Sequence, residues 1–123
     1  MNTVLWILQV VVGIMFILAG VNHGFRQETA KQMMAWMQAV SSGLLTFIGI
    51  AEILGGLGVV LPALTNILPV LTPIAAAGLT LIMILAMIFH FRRGEYQAIV
   101  VNLVLGALAA FVAYGRFVLV PLS

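Results

Sequence analysis

Four apolar runs govern what this chain can become. They extend from about Thr3 to Val21, Gly43 to Leu61, Ile74 to Phe91 and Ala98 to Leu119, and each approaches the roughly 20 residues that a helix needs to cross a bilayer. Inside hydrocarbon every backbone amide has to be paired within its own segment, which makes helix the workable conformation. The expected fold is therefore all-α, a transmembrane four-helix bundle forming one domain over residues 1–123. Composition agrees: 64% of residues are hydrophobic, 7% are charged and the mean hydropathy is +1.27, against about 25% charged residues in an ordinary soluble domain. The first run has no Lys or Arg ahead of it, is longer than a signal-peptide core and is not followed by an A-x-A site, so it reads as a span rather than a cleaved leader.

The same composition removes several function classes. Without cysteine there are no disulfides, thiolate nucleophiles, CxxC redox motifs or cysteine metal sites. A net charge of +2, carried by five scattered basic residues, gives no dense basic face for nucleic acid.

The connections differ in character. Between the second and third runs, "LPALTNILPVLTP" places Pro62, Pro69 and Pro73 where they are expected to break helices, in a short apolar link dipping into the interface. Between the first and second, "QETAKQMMAWMQAVSS" has capping-box spacing at Thr29 and Gln32. Met33, Trp36, Met37 and Val40 recur there at helical period opposite Lys31, Gln32 and Gln38, which predicts a short interfacial helix over about Thr29 to Val40. Four spans place Arg26, Lys31, Arg92 and Arg93 on one side, with Arg116 and the amino terminus on the other. The positive-inside rule then makes the loop side cytoplasmic and both termini extracytoplasmic.

One carboxylate interrupts the apolar pattern. In "GIAEILGGLG", residues 49–58, Glu52 is the sole charge between Gly43 and Leu61. It lies nine residues from Gly43, roughly 13 Å into the span, where an ionised side chain costs about 2.5–3.5 kcal/mol on insertion scales. Gly49, Glu52, Gly55 and Gly56 share one helical face, so Glu52 is expected to point at another helix and not at lipid. Gln9, Gly13, Phe16, Gly20 and His23 align in the first span, Ala76, Leu79, Met83, Ala86, Met87 and His90 in the third, and Asn102, Gly106, Ala109 and Ala113 in the fourth. Each helix thus pairs its polar residue with its small-residue face, which predicts a polar thread inside the bundle, open at the loop side. Arg116 being counted with the terminal face, no cation is assigned to a span interior. The partners expected for Glu52 are His90, His23, Asn102, Gln9, water or a ligand. No HExxH-type spacing joins the histidines to the carboxylate, and no metal site is expected.

Several strings carry a family resemblance. "AGVNHGF", "AEILGGLGVVLP", "TPIAAAGLTLIMILAMIFHFRRGE" and "NLVLGALAAFVAYGR", in that order, resemble the DoxX-like family of small four-helix membrane proteins over nearly the whole chain. The resemblance implies a multi-pass protein of a bacterial inner (plasma) membrane, in a family associated with thiosulfate:quinone oxidoreductase and terminal oxidase assemblies, with redox or thiol stress complexes and, in animals, with receptor assembly and cargo export. It carries over to Glu52, His90 and Asn102, and also to His23 and Arg26.

Three functions fit these residues. A bundle could bind a small hydrophobic molecule such as a quinone, with Glu52, His90, Asn102 and His23 meeting its polar groups and Met83, Met87 and Phe16 around its ring. A non-catalytic partner or assembly subunit could use its glycine-rich faces to join a larger membrane complex or a homo-oligomer. A proton-coupled transporter could use the carboxylate and histidines as a relay.

Overall fold

Each apolar run forms a helix in the computed structural model, which describes residues 1–28, 37, 38 and 40–121. Helix α1 is Asn2–Phe25, α2 is Ser42–Thr65, α3 is Leu71–Arg93 and α4 is Tyr96–Tyr114, extended by a π-helical turn at Gly115–Leu119. All four spans are long and apolar enough to cross a membrane, and no window within them is more than 33% buried inside the protein. Most of their surface therefore faces outward, to lipid. The buried remainder forms a central core of Val12, Phe16, Val59, Ala76, Leu79, Met83, Ala109, Val112 and Ala113. Helices α1–α2 and α3–α4 pack as antiparallel hairpins, which join mainly through α2 against α3 and only lightly through α1 against α4.

The helices outrun the boundaries read from hydropathy. Helix α2 continues through Pro62 to Thr65, because a proline three residues before a helix end forfeits a single backbone bond and leaves little helix to distort. Asn66 stops it in the left-handed conformation, at φ 57° and ψ 27°, which Asn adopts more readily than most residues. Pro73 is third in α3, within the turn whose amides have no helical partner, so it opens the helix instead of breaking it. At the other end of α2 the Ser41 hydroxyl accepts from the Leu44 amide at 3.2 Å, an N-cap. Gln27 ties α1 to this start by donating to Gly24 O at 3.1 Å and to Thr46 Oγ1 at 3.0 Å. Most of the interfacial helix expected over Thr29 to Val40 lies outside the described residues. Met37 is fully buried, packed with Leu45 and Val40.

Glycines set the α1–α2 distance. A Cβ on Gly20 would lie 2.5 Å from Gly49 O, one on Gly49 would lie 2.6 Å from the Gly24 backbone, and one on Gly56 would lie 2.7 Å from Gly13 O. The two backbones touch at two levels, with no side chain between them.

A cation does lie inside a span, contrary to the sequence expectation. Arg116, in the π turn, is 2% exposed. Its Nε donates to Gln9 Oε1 at 2.6 Å and its Nη1 to Asn2 Oδ1 at 2.8 Å and Val120 O at 3.1 Å, with the guanidinium over the Trp6 ring at 5.8 Å. Gln9 Nε2 donates in turn to Val59 O at 3.0 Å. This chain of bonds links α4, α1 and α2 at the terminal end of the bundle. It also removes Gln9 from the expected partners of Glu52, since Gln9 and His23 are 14 residues apart on α1, about 21 Å.

Gly49→Ala is predicted to push α1 from α2 and cost about 1–3 kcal/mol, the usual range for overpacking. Gly78→Ala is the control, because an added Cβ there meets nothing within 4 Å. Thermal unfolding of both variants in detergent should show a lowered midpoint for the first alone.

Candidate functional site

The α1–α2 contact positions the first half of the site. His23 lies between Gly20 and Gly24 on α1, and Glu52 lies one turn beyond Gly49 on α2, so the level at which the backbones touch brings these side chains face to face. His23 Nδ1 is 2.6 Å from Glu52 Oε1, a separation at which one proton bridges the two groups. Glu52 is 1% exposed.

A helix cap builds the second half. Gly94 ends α3 with φ 71°, a conformation that favours glycine, and the reversed chain returns the Glu95 amide to His90 O at 2.9 Å. The Glu95 side chain follows its backbone: Oε1 is 2.9 Å from His90 Nδ1 and accepts from Arg93 Nε at 3.0 Å. The hydrogen bond with His90 holds the Glu95 carboxyl below its usual 4.5; partial burial opposes this and Arg93 adds to it. The Arg93 guanidinium lies over the Phe89 ring at 5.5 Å, and the Phe89 and His90 rings meet edge to face.

Asn102, on α4, supplies a different element. Among the described residues its Nδ2 is buried without a hydrogen-bond partner, an unmet donor inside a bundle where such groups are costly.

Two cavities meet at these residues. One of about 750 Å³ lies toward α1, α4 and the Gly94–Gln97 turn; the other, of about 390 Å³, lies between α2 and α3. His23, Glu52, Met83, His90 and Asn102 line both. Five of the seven residues singled out from sequence are therefore brought together. Met87 is half-buried one turn from Met83 and lines neither cavity, and Phe16 belongs to the central core. The pairing differs from the expected thread: Glu52 meets His23, while His90 meets Glu95, which sequence reasoning treats only as a loop charge. The signal for Glu95 is in the string itself, because a glycine after "HFRR" invites a left-handed cap that folds the next residue back onto the helix end. Among the described residues no group of three His, Asp or Glu side chains is placed to hold a metal ion.

Four apolar helices with a histidine–carboxylate pair buried at one end define a multi-pass helical membrane protein. The DoxX-like family model matches residues 7–112, and the chain belongs to that family. No curated protein and no solved structure matches it. The match includes both histidine–glutamate pairs and Asn102, whereas Arg116 and Asn2 fall beyond it.

The depressed Glu95 value fixes the sign of one pH effect. A carboxyl whose folded-state pKa lies below 4.5 contributes its full stability above about that pH and loses it as pH falls through the folded value. Thermal midpoints measured between about pH 6 and pH 3 should fall on the acid side for the wild type and fall less for Glu95→Gln. Parallel curves would contradict a role for the Glu95 contact.

Proposed function

We propose that the loop end of this bundle binds a small lipid-soluble molecule bearing a carbonyl or hydroxyl group, a quinone being the chemical class that fits best. The observation that carries this reading is Asn102 Nδ2, a buried donor without a partner, set beside a buried histidine–carboxylate pair on the wall of two cavities of about 750 and 390 Å³. Those volumes fall in the range of small-molecule sites, roughly 300–1,000 Å³. A carbonyl oxygen satisfies the Asn102 amide, while the proton bridging His23 and Glu52 gives the site a group that can donate to or accept from a second polar atom. Met83, on the wall of both cavities, supplies apolar contact to the ligand's body.

The competing role as an assembly subunit has less to work with. Gly13, Gly20, Gly24, Gly49 and Gly56 are occupied by α1–α2 packing, Gly55 faces Leu79, Gly58 faces Ala75 and Gly106 faces Met83. Gly78 is left on an outer face.

Orientation is part of the same reading. Arg26, Arg92 and Arg93 are exposed at the loop end, Lys31 belongs to the same connection, and Arg116 is bonded inside the bundle and does not weigh as a loop charge for the opposite side. This supports a cytoplasmic site and extracytoplasmic termini in a bacterial plasma membrane.

Two measurements check these proposals. Titration of the purified protein in nanodiscs with decylubiquinone should give saturable binding, weakened about tenfold, or 1.4 kcal/mol, in Asn102→Leu. Absence of saturable binding would sink the ligand reading. For orientation, single cysteines at Gly94 and Ser123 should label from outside intact bacterial cells at Ser123 alone, and labelling at Gly94 alone would invert the protein.

A further inference from the structure

The two cavities differ in chemistry and in the side on which they open. Beyond the shared wall, the larger is lined by the polar Asn22, Glu95, Tyr96 and Gln97 together with Ala19, Ala98, Val101 and Leu105, with Gly94, Tyr96 and Gln97 exposed at the turn between α3 and α4. It reaches the aqueous end of the bundle. Among the described residues the smaller has no polar lining beyond the wall; Phe47, Ile48, Ala51, Leu85, Ala86 and Phe89 enclose most of it. Phe47 is 69% exposed and Leu85 57% exposed, on faces of α2 and α3 that a bilayer covers. A vestibule of mixed polarity and an apolar crevice thus stand back to back, divided by His23, Glu52, Met83, His90 and Asn102.

Building on the ligand reading above, we infer that the ligand is a single-headed amphiphile taken from the bilayer through the α2–α3 crevice. Its polar head stops at the dividing wall and its apolar tail lies along Phe47, Ile48, Leu85 and Phe89. The vestibule on the other side holds water.

Three observations support this assignment of the two cavities. An apolar tail placed in the vestibule would bury polar side chains against hydrocarbon, and their lost hydration is expensive. The crevice offers only apolar contact, so a water-soluble ligand passing through it would be stripped of its hydration with no hydrogen bond in return until it reached the wall. The wall itself turns four polar side chains toward the closed end of an apolar crevice, which suits a molecule whose polarity is confined to one end. Among the described residues the crevice is open outward past Phe47 and Leu85, so a tail longer than the cavity continues into lipid without further cost, whereas a bulky second polar group on the tail would be excluded.

Photolabelling the wild-type protein in nanodiscs tests this without any substitution. The probe is a decylubiquinone analogue with a diazirine at the end of its tail, and excess unlabelled decylubiquinone distinguishes bound probe from probe dissolved in the bilayer. Competed label is expected on peptides holding residues 47–51 and 85–89. Competed label confined to residues 96–105 would overturn the crevice assignment while leaving quinone binding in place. If no label is competed anywhere, the ligand reading falls and this inference with it.

Discussion

A carboxylate ten residues inside a membrane helix, about 15 Å from its start, is tolerable only where another group shares its proton or its charge. Glu52 meets this condition through His23, and it can do so because α1 and α2 touch backbone to backbone. Gly20 and Gly49 have no room for a methyl group and Gly24 packs tightly on Gly49, which places the imidazole 2.6 Å from the carboxyl. A side chain at Gly20 or Gly49 would widen the gap and leave an acid without a partner in hydrocarbon. The site therefore rests on three residues that have no side chains.

The two ends of the bundle are organised oppositely. At the terminal end Arg116, Gln9, Asn2 and Val59 O form a continuous run of hydrogen bonds that ties three helices together. At the loop end the polar groups pair locally, each histidine with a glutamate, and the helices leave two cavities between them. The sealed end keeps the bundle in register, and the open end holds the space between the helices.

Much of this organisation is legible in the amino-acid sequence. The four spans follow from run length, and the inward faces follow from polar and small residues recurring every three or four positions, so Glu52, His23, His90, Asn102 and Met83 are found together as expected. Pairing is not legible, because it depends on the register between helices, and that register is fixed by glycine contacts far apart in sequence. His90 meets Glu95 through a reversal at Gly94 that hydropathy does not register. Arg116 reads as an interfacial cation near a span end. The π turn directs it inward, and Gly115, where a Cβ would run into Leu5, allows that turn to pack on α1. Pro62 reads as a helix breaker because position within the helix, three residues from its end, decides how much it disrupts.

The contact between His23 and Glu52 is the claim on which the rest depends, and solid-state NMR can measure it directly. With histidine nitrogens labelled by ¹⁵N and glutamate carboxyl carbons by ¹³C in protein reconstituted into bilayers, dipolar recoupling should show His23 Nδ1 bound to the Glu52 carboxyl, and Gly49→Ala should weaken that coupling while leaving the one between His90 and Glu95. Coupling of Glu52 to His90, or to neither histidine, would contradict the arrangement described.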